Sequence, residues 1–215
     1  MNSEMKTLFS ISGLITSVAR AVERARSSIF TVAGTYIISI LIGMVMAHTG
    51  NTLALTHRDQ LVNRAIQQNP ARVASQGDNL QAALWDFSGN LVIGALPQTV
   101  MGFGIIFPYP SVAYQGWVGG IVSVRSDRTS RLNDPRSAVY YLLTLFLQLT
   151  PYSLAVGAGV NVGVSLFRPP HYYQTGKWLG LFPKEALKDV GRIYLLVIPL
   201  FLMASLWEFL SPWNI

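Results

Sequence analysis

The residues of this chain best suited to chemistry are three histidines, ten carboxylates and a handful of amides. Their spacing argues against catalysis. His48 and His57 stand nine apart in a polar stretch, while His171 follows Pro169-Pro170 far downstream. No HExxH motif or carboxylate cluster joins them, so no metal centre is expected. The chain has no cysteine, which removes disulfides, thiolate metal sites and cysteine nucleophiles. No GxSxG elbow, phosphate-cradling glycine loop or dinucleotide fingerprint occurs, because the glycines sit inside apolar blocks. Asp78 and Asp86 could face an active site, but loop carboxylates are far more often simply solvated. The expectation is a non-enzymatic protein without a cofactor.

The uncharged polar residues are more informative. Gln98, Thr99, Gln115, Thr144, Gln148, Thr150 and Asn161 all lie within apolar blocks. Amides in hydrocarbon need partners, and hydrogen bonds between helices usually supply them. If Gln98, Gln115, Gln148 and Asn161 instead lined a water-filled path, they would suit a small permease. No ionisable residue falls at the centre of an expected span, which counts against proton-coupled transport. Gly116–Gly120 and Gly159–Gly163 each form a GxxxG pair. Such pairs bring helix backbones close, either within one chain or across a homodimer. Glycine-rich, proline-broken segments also expose backbone to substrates in transporters.

These residues must be positioned by elements that the charge pattern outlines. The chain has 215 residues, 51% hydrophobic and 12% charged, against roughly 25% charged in an average soluble domain. Charged residues are missing between Arg26 and Arg58, across residues 87–124 and 137–167, and from Ile193 to Trp207. A hydrocarbon core about 30 Å thick needs about 20 helical residues. The first and last blocks therefore fit one span each, and the middle two are too long for a straight crossing.

Four regions follow. Residues 1–28 read as an uncleaved amphipathic surface helix, with apolar positions from Leu8 to Val22 at helical spacing. Residues 29–47 form the first span, 48–86 a polar extracytoplasmic segment broken near Pro70 and Gly77, and 87–215 a glycine-rich bundle. Phe107-Pro108-Tyr109-Pro110 should turn the second block, and Thr150-Pro151 should break the third into a hairpin. The expected fold is an all-α, polytopic transmembrane bundle of five to six spans with broken or re-entrant helices.

The net charge of +6 marks cytoplasmic loops rather than nucleic-acid binding, since no basic run is interleaved with aromatics. Counting Lys and Arg places the loops 125–136 and 168–192 together in the cytoplasm, with an extracytoplasmic C-terminus. Aromatic residues such as Trp85, Trp117, Tyr140, Trp207 and Trp213 fall near span ends, as an interfacial belt would.

Four stretches carry a resemblance. They are the first span ending at Ile38 to Ala47, the Gly89-Asn90 opening with Gln115-Gly116-Trp117-Val118-Gly119 after it, the Leu149-Thr150-Pro151-Tyr152 break, and the closing Ala204 to Pro212 with Glu208 and Ser211-Pro212. From about residue 29 onward the chain resembles the stage II sporulation protein M family of prokaryotic membrane proteins. It departs from the family pattern at Thr150 to Leu154, where relatives often carry a histidine-glycine pair and a glutamate. Here Glu208 also stands one position closer to Ser-Pro. The resemblance implies a non-enzymatic subunit of the prokaryotic cytoplasmic membrane that anchors other membrane or extracytoplasmic proteins. It singles out Asn90, Pro151 and Glu208 beside the amides and glycines already named. The competing expectation is a small permease or the membrane subunit of an ATPase-driven transporter, with the ATPase docked on the basic loops.

Overall fold

A helix rich in outward-facing apolar side chains needs a solvent for them, and this chain builds several. The computed structural model describes residues 11–168, 173 and 176–213; His171 and the first ten residues of the expected surface helix lie outside them. The chain is nearly all-α. Helix α1 is Ile11–His48, α2 Thr52–Gln67, α3 Asn69–Ser75 and α4 Asn79–Ser88. A π-helical segment, Gly89–Ala95, joins α4 to α5, Leu96–Gly102. Then come α6 (Tyr109–Ile121), α7 (Pro135–Val164), a two-stranded ribbon of β1 (Lys177–Trp178) and β2 (Phe182–Pro183), and α8 (Lys184–Leu210).

Three helical stretches are long and apolar enough to cross a bilayer: Ser12–His48, Pro135–Phe167 and Lys184–Leu210. Their outer faces carry large hydrophobic side chains, including Phe30 at 74% exposure and Phe146 at 62%. Ile93, on the π-helical segment, is 79% exposed. So much bare apolar surface suits lipid rather than water.

Two sequence expectations are corrected. The surface helix and first span are not separate, because α1 runs unbroken through residues 28 and 29. Nor does Thr150-Pro151 break the third block. Pro151 lies inside the single 30-residue helix α7, and the Thr150 hydroxyl donates to the Phe146 carbonyl at 2.8 Å beside it. A buried transmembrane helix tolerates proline when neighbours and hydroxyls compensate the freed backbone.

The continuous α7 separates the two basic loops that were expected to share one side. At its start, Arg136 donates to the Pro212 carbonyl at 2.6 Å, beyond α8. Just past its end, Arg168 donates to the Arg24 carbonyl at 3.2 Å. The bundle thus has a proximal end, holding Arg24, Arg168 and the start of α8, and a distal end. The distal end holds His48, α2 and α3, the 122–134 loop and the end of α8. There His48 Nε2 meets the Ser130 hydroxyl at 2.8 Å.

Local signals set the helix starts. Asn51, Asp78 and Asp134 accept from the backbone N–H groups of Ala54, Gln81 and Ser137 at 3.1, 2.9 and 2.8 Å, each satisfying an orphan donor. Asp78 is therefore a helix cap.

Glycine sets the helix spacing. Gly116 and Gly120 of α6 lie directly on the α1 backbone at Tyr36, Ile40 and Gly43. Gly159 and Gly163 of α7 lie on the backbone of α5 and the turn after it, at Thr99 and Phe103. Both GxxxG pairs are consumed inside one chain, so a second copy would have to use another face.

Charged groups fasten the two ends. Arg24 reaches the buried Asp189 through two bonds of 2.7 and 2.5 Å, and Arg192 adds a third of 2.8 Å. At the distal end Arg58 is 1% exposed. It donates to the Val124 and Arg125 carbonyls at 3.2 and 2.8 Å and pairs with Asp59 at 2.5 Å. That holds α2 against the 122–134 loop.

Two outcomes follow. Gly120→Val and Gly159→Val should each lower stability by about 1–3 kcal/mol through overpacking, whereas Gly34→Ala, with open space around it, should be near neutral. Thermal unfolding of the purified protein in detergent compares the three. For the cap of α7, the Ser137 backbone N–H and hydroxyl hold the Asp134 carboxyl below the usual aspartate value. A depressed folded-state value stabilises above the unfolded value and is lost as pH falls through the folded one. Asp134→Ala should therefore destabilise at neutral pH, and its melting curve should converge with that of the parent below about pH 4.

Candidate functional site

The site is built where α4, the π-helical segment, α6, α7 and α8 meet in the distal half of the bundle. Asp86 and Asn90 are four residues apart, and Ser205 and Glu208 three apart, so each pair shares a helix face. Asn90 Nδ2 donates to Asp86 Oδ2 at 2.9 Å, and the Ser205 hydroxyl donates to the same oxygen at 2.7 Å. Tyr152 of α7 donates its hydroxyl to Asn90 Oδ1 at 3.0 Å. Gln148, one turn earlier, donates Nε2 to Glu208 Oε2 at 2.7 Å. Two carboxylates are thus held in part-buried polar clusters spanning α4, α7 and α8, Asp86 with Asn90, Ser205 and Tyr152, and Glu208 with Gln148.

The π-helical segment shapes this network. Its wider turn bonds the Leu96 N–H to the Leu91 carbonyl five residues back. Such turns concentrate at functional sites. Here Asn90 touches both Asp86 and Tyr152. Pro97, which lacks an N–H, follows at once in α5.

Beside the network lies a cavity of about 410 Å³, within the range of small-ligand pockets. Glu208, Gln148, Asn90, Gln115, Tyr36 and Tyr152 contribute its polar wall, with Leu61 of α2 also lining it. Tyr36 donates its hydroxyl to Gln115 Oε1, tying the α1 and α6 walls together. Tyr141 closes another side and donates to the Gly119 carbonyl at 2.7 Å. Among the described residues no Lys or Arg lines the cavity. A shallower groove, lined by Gln67, Pro70, Trp85, Asp86 and Asn90, runs between the α2–α3 junction and α4. Asn90 forms part of both walls.

The structure therefore sorts the residues singled out from sequence. Asn90, Gln115, Gln148 and Glu208 converge on one cavity, and Gly116 lines it from α6. Gln98 and Asn161 do not. Both are buried elsewhere; Asn161 donates to the Tyr173 hydroxyl at 3.0 Å near the proximal ribbon. The side-chain oxygens of Gln98 and Asn161 are buried with no hydrogen-bond partner among the described residues. Pro151 is buried in α7 between Gln148 and Tyr152, and Gly120, Gly159 and Gly163 serve packing.

Sequence reasoning missed Asp86, Ser205, Tyr36 and Tyr152. Asp86 was assigned to a solvated loop, yet it lies on the helix that leads into the bundle. The available signal was the i, i+4 spacing of Asp86 and Asn90 and the i, i+3 spacing of Ser205 and Glu208. Among the described residues no cluster of His, Asp and Glu could hold a metal ion. The geometry sets two hydroxyls beside a possible base, Ser205 at 2.7 Å from Asp86 and Ser130 at 2.8 Å from His48. It offers a polar, net-acidic chamber in an apolar bundle, suited to holding a ligand in place.

Compared with family models, with curated proteins and with solved structures, the chain matches none.

Glu208 and Gln148 should be energetically coupled. A double-mutant cycle with Glu208→Leu and Gln148→Leu should return about 0.6–1.7 kcal/mol, the range for hydrogen bonds between membrane helices. A coupling near zero would show that the two side chains are held by the helices alone.

Proposed function

We propose that this chain is a multi-pass protein of a prokaryotic cytoplasmic membrane that acts without catalysis, as a scaffold or accessory subunit holding partner proteins. The reading follows the resemblance to the stage II sporulation protein M family. Its carrying observation is the distal cap. Helix α2 and the 122–134 loop form one surface, with Arg58 of α2 and His48 of α1 both bonded to the loop. On the α2 to α4 side this surface presents Leu53, Ile66, Leu80 and Trp85, all at least half exposed. A fixed polar cap studded with single apolar anchors is the anatomy of a recognition surface, in which buried aromatic and aliphatic side chains carry most of the affinity.

The proposed topology has five crossings: α1, the α4–π–α5 unit, α6, α7 and α8. The proximal end, with Arg20, Arg24 and Arg26 in the first turns of α1 and Lys184 and Lys188 opening α8, faces the cytoplasm. The cap and the C-terminus then lie outside. With no native cysteine, this topology is easily tested. Ser75→Cys and Ser130→Cys should both react with a membrane-impermeant maleimide in intact cells, and Lys188→Cys only after lysis. Labelling of Ser75→Cys without Ser130→Cys would overturn the arrangement.

For the partner, we expect a near-stoichiometric extracytoplasmic protein to copurify in mild detergent. Ile66→Glu should remove it without loss of membrane insertion. Recovery of the chain alone from its native membrane would sink the scaffold reading.

The cavity favours a second reading, a small permease or solute-binding subunit. Gln115 and Gln148 line a chamber rather than packing against each other, which supports it. The idea of an ATPase gripping the 125–136 and 168–192 loops together has lost its basis, because those loops emerge at opposite ends of α7.

A further inference from the structure

The two-stranded ribbon at the proximal end carries apolar side chains where the chain itself covers them least. Its strands pair antiparallel, with Lys177 opposite Pro183 and Trp178 opposite Phe182. The Leu181 N–H donates to the Trp178 carbonyl at 3.0 Å and closes the turn. Leu179 and Gly180, at the centre of that turn, both have positive φ, +50° and +73°, as a type I′ hairpin requires. Glycine adopts this backbone freely, whereas leucine is uncommon there and Asn or Asp is the usual alternative. Leu179 is nonetheless 74% exposed, with Leu181 at 57% and Trp178 at 47%. The tip thus holds a leucine in a strained backbone without burying its side chain inside the bundle. Strain retained in this way points to a function for the residue beyond the fold.

The base of the ribbon fixes where the tip lies. The Phe182 and Phe103 rings meet at 5.5 Å, and Pro183 is buried where β2 runs into α8. Phe103 opens the turn between α5 and α6, and residues 103–108 of that turn include no polar or charged side chain. Ile106 and Phe107 within it are 69% and 63% exposed. Such an apolar turn between two crossings belongs at the edge of the hydrocarbon rather than in water. The ribbon is therefore pinned beside a lipid-facing rim. Lys177 and Lys184, both exposed, bracket its apolar tip.

We propose that the ribbon tip, Trp178 to Leu181, is a lipid anchor inserted into the proximal leaflet, with Lys177 and Lys184 meeting the phosphates of anionic phospholipids. Trp and Leu flanked by Lys are the composition of elements that bury an apolar face about 5–10 Å into the boundary between headgroups and acyl chains. Lysines near an anionic leaflet add their own attraction. Lipid is favoured over a protein occupant because the rim that the ribbon rests on is itself apolar and exposed. The 168–192 loop then holds the facing ends of α7 and α8 at the membrane surface. The proposal rests on the bundle crossing the bilayer, and it stands apart from what the distal cap or the cavity binds.

The test uses the full chain, which has no native cysteine, reconstituted in nanodiscs of phosphatidylglycerol. A nitroxide is attached at Leu179→Cys and, in a separate variant, at Leu181→Cys. Collisions with oxygen, which concentrates among acyl chains, and with a nickel chelate confined to water report its depth. Ile93→Cys on the exposed face of the π-helical segment is the bilayer reference, and Ser75→Cys on α3 the aqueous one. Both tip sites should be reached more by oxygen than by nickel, as Ile93 is, and Ser75 should show the reverse. The Leu181 site keeps the test decisive if a label at Leu179 upsets the turn. Lys177→Gln combined with Lys184→Gln should raise nickel access to the tip about twofold or more in phosphatidylglycerol and leave it unchanged in phosphatidylcholine.

Nickel access at both tip sites equal to that at Ser75, with Ile93 still protected, would overturn the anchor and leave the tip to a protein partner. Nickel access at Ile93 as well would overturn the membrane-spanning reading, and the anchor with it. A tip that is oxygen-dominated in both lipids and indifferent to both lysines would overturn the recognition of anionic phosphate and support an apolar anchor alone.

Discussion

Backbone-to-backbone contact through glycine is the constraint on which this architecture depends. Lipid gives helices no hydrophobic reason to associate, so shape and close approach must supply it. Gly43, Gly116 and Gly120 let α1 and α6 touch, and Gly102, Gly159 and Gly163 do the same for α5 and α7. Gly157 brings α7 onto α1 at Ile29. Those seams place α7 at the centre of the bundle, and α7 carries Gln148 and Tyr152 to the polar network. If the seams widened, the hydrogen bonds from Gln148 and Tyr152 would be out of reach, since such bonds weaken steeply beyond about 3.2 Å.

The interior is consequently divided into two kinds of space. Where glycine faces backbone, there is no room for a side chain or water. Where Gly119, Leu145 and Tyr141 diverge, a chamber remains, and its polar wall is built from residues whose hydrogen bonds are made to one another. Thr99 shows how the two meet. Its hydroxyl contacts the Ala95 and Ala155 carbonyls at 2.8 and 3.0 Å and the Tyr194 hydroxyl at 2.8 Å. One small polar side chain thereby links α5, α7 and α8 at the edge of the tight seam.

Much of the helical content was legible in the sequence, because long charge-free blocks are a local signal. The turn near Phe107 to Pro110 and the breaks near Pro70 and Gly77 were readable for the same reason. The error at Pro151 has a physical source. Proline breaks helices in water, but neighbouring helices support it in this bundle, and nothing local distinguishes the two. That error propagated into the sidedness of the loops. Among the candidate site residues, Gln115 and Gln148 were singled out by type and position, and Asn90 and Glu208 through the family resemblance. Their convergence was not legible, because it depends on contacts about 60 residues apart, such as Gln148 with Glu208. Arg58 and Asp189 looked like ordinary loop and interfacial charges; their burial comes only from tertiary structure.

Arg58 bears on how the molecule is assembled. Its backbone acceptors, the Val124 and Arg125 carbonyls, lie 66 and 67 residues downstream. When α2 leaves the ribosome those acceptors do not yet exist, and a guanidinium cannot shed its charge to wait in an apolar site. The contacts of Arg58 with the 122–134 loop therefore form only after that loop has been made. Closure of the cap is thus tied to synthesis of the middle of the chain, not to α2 alone.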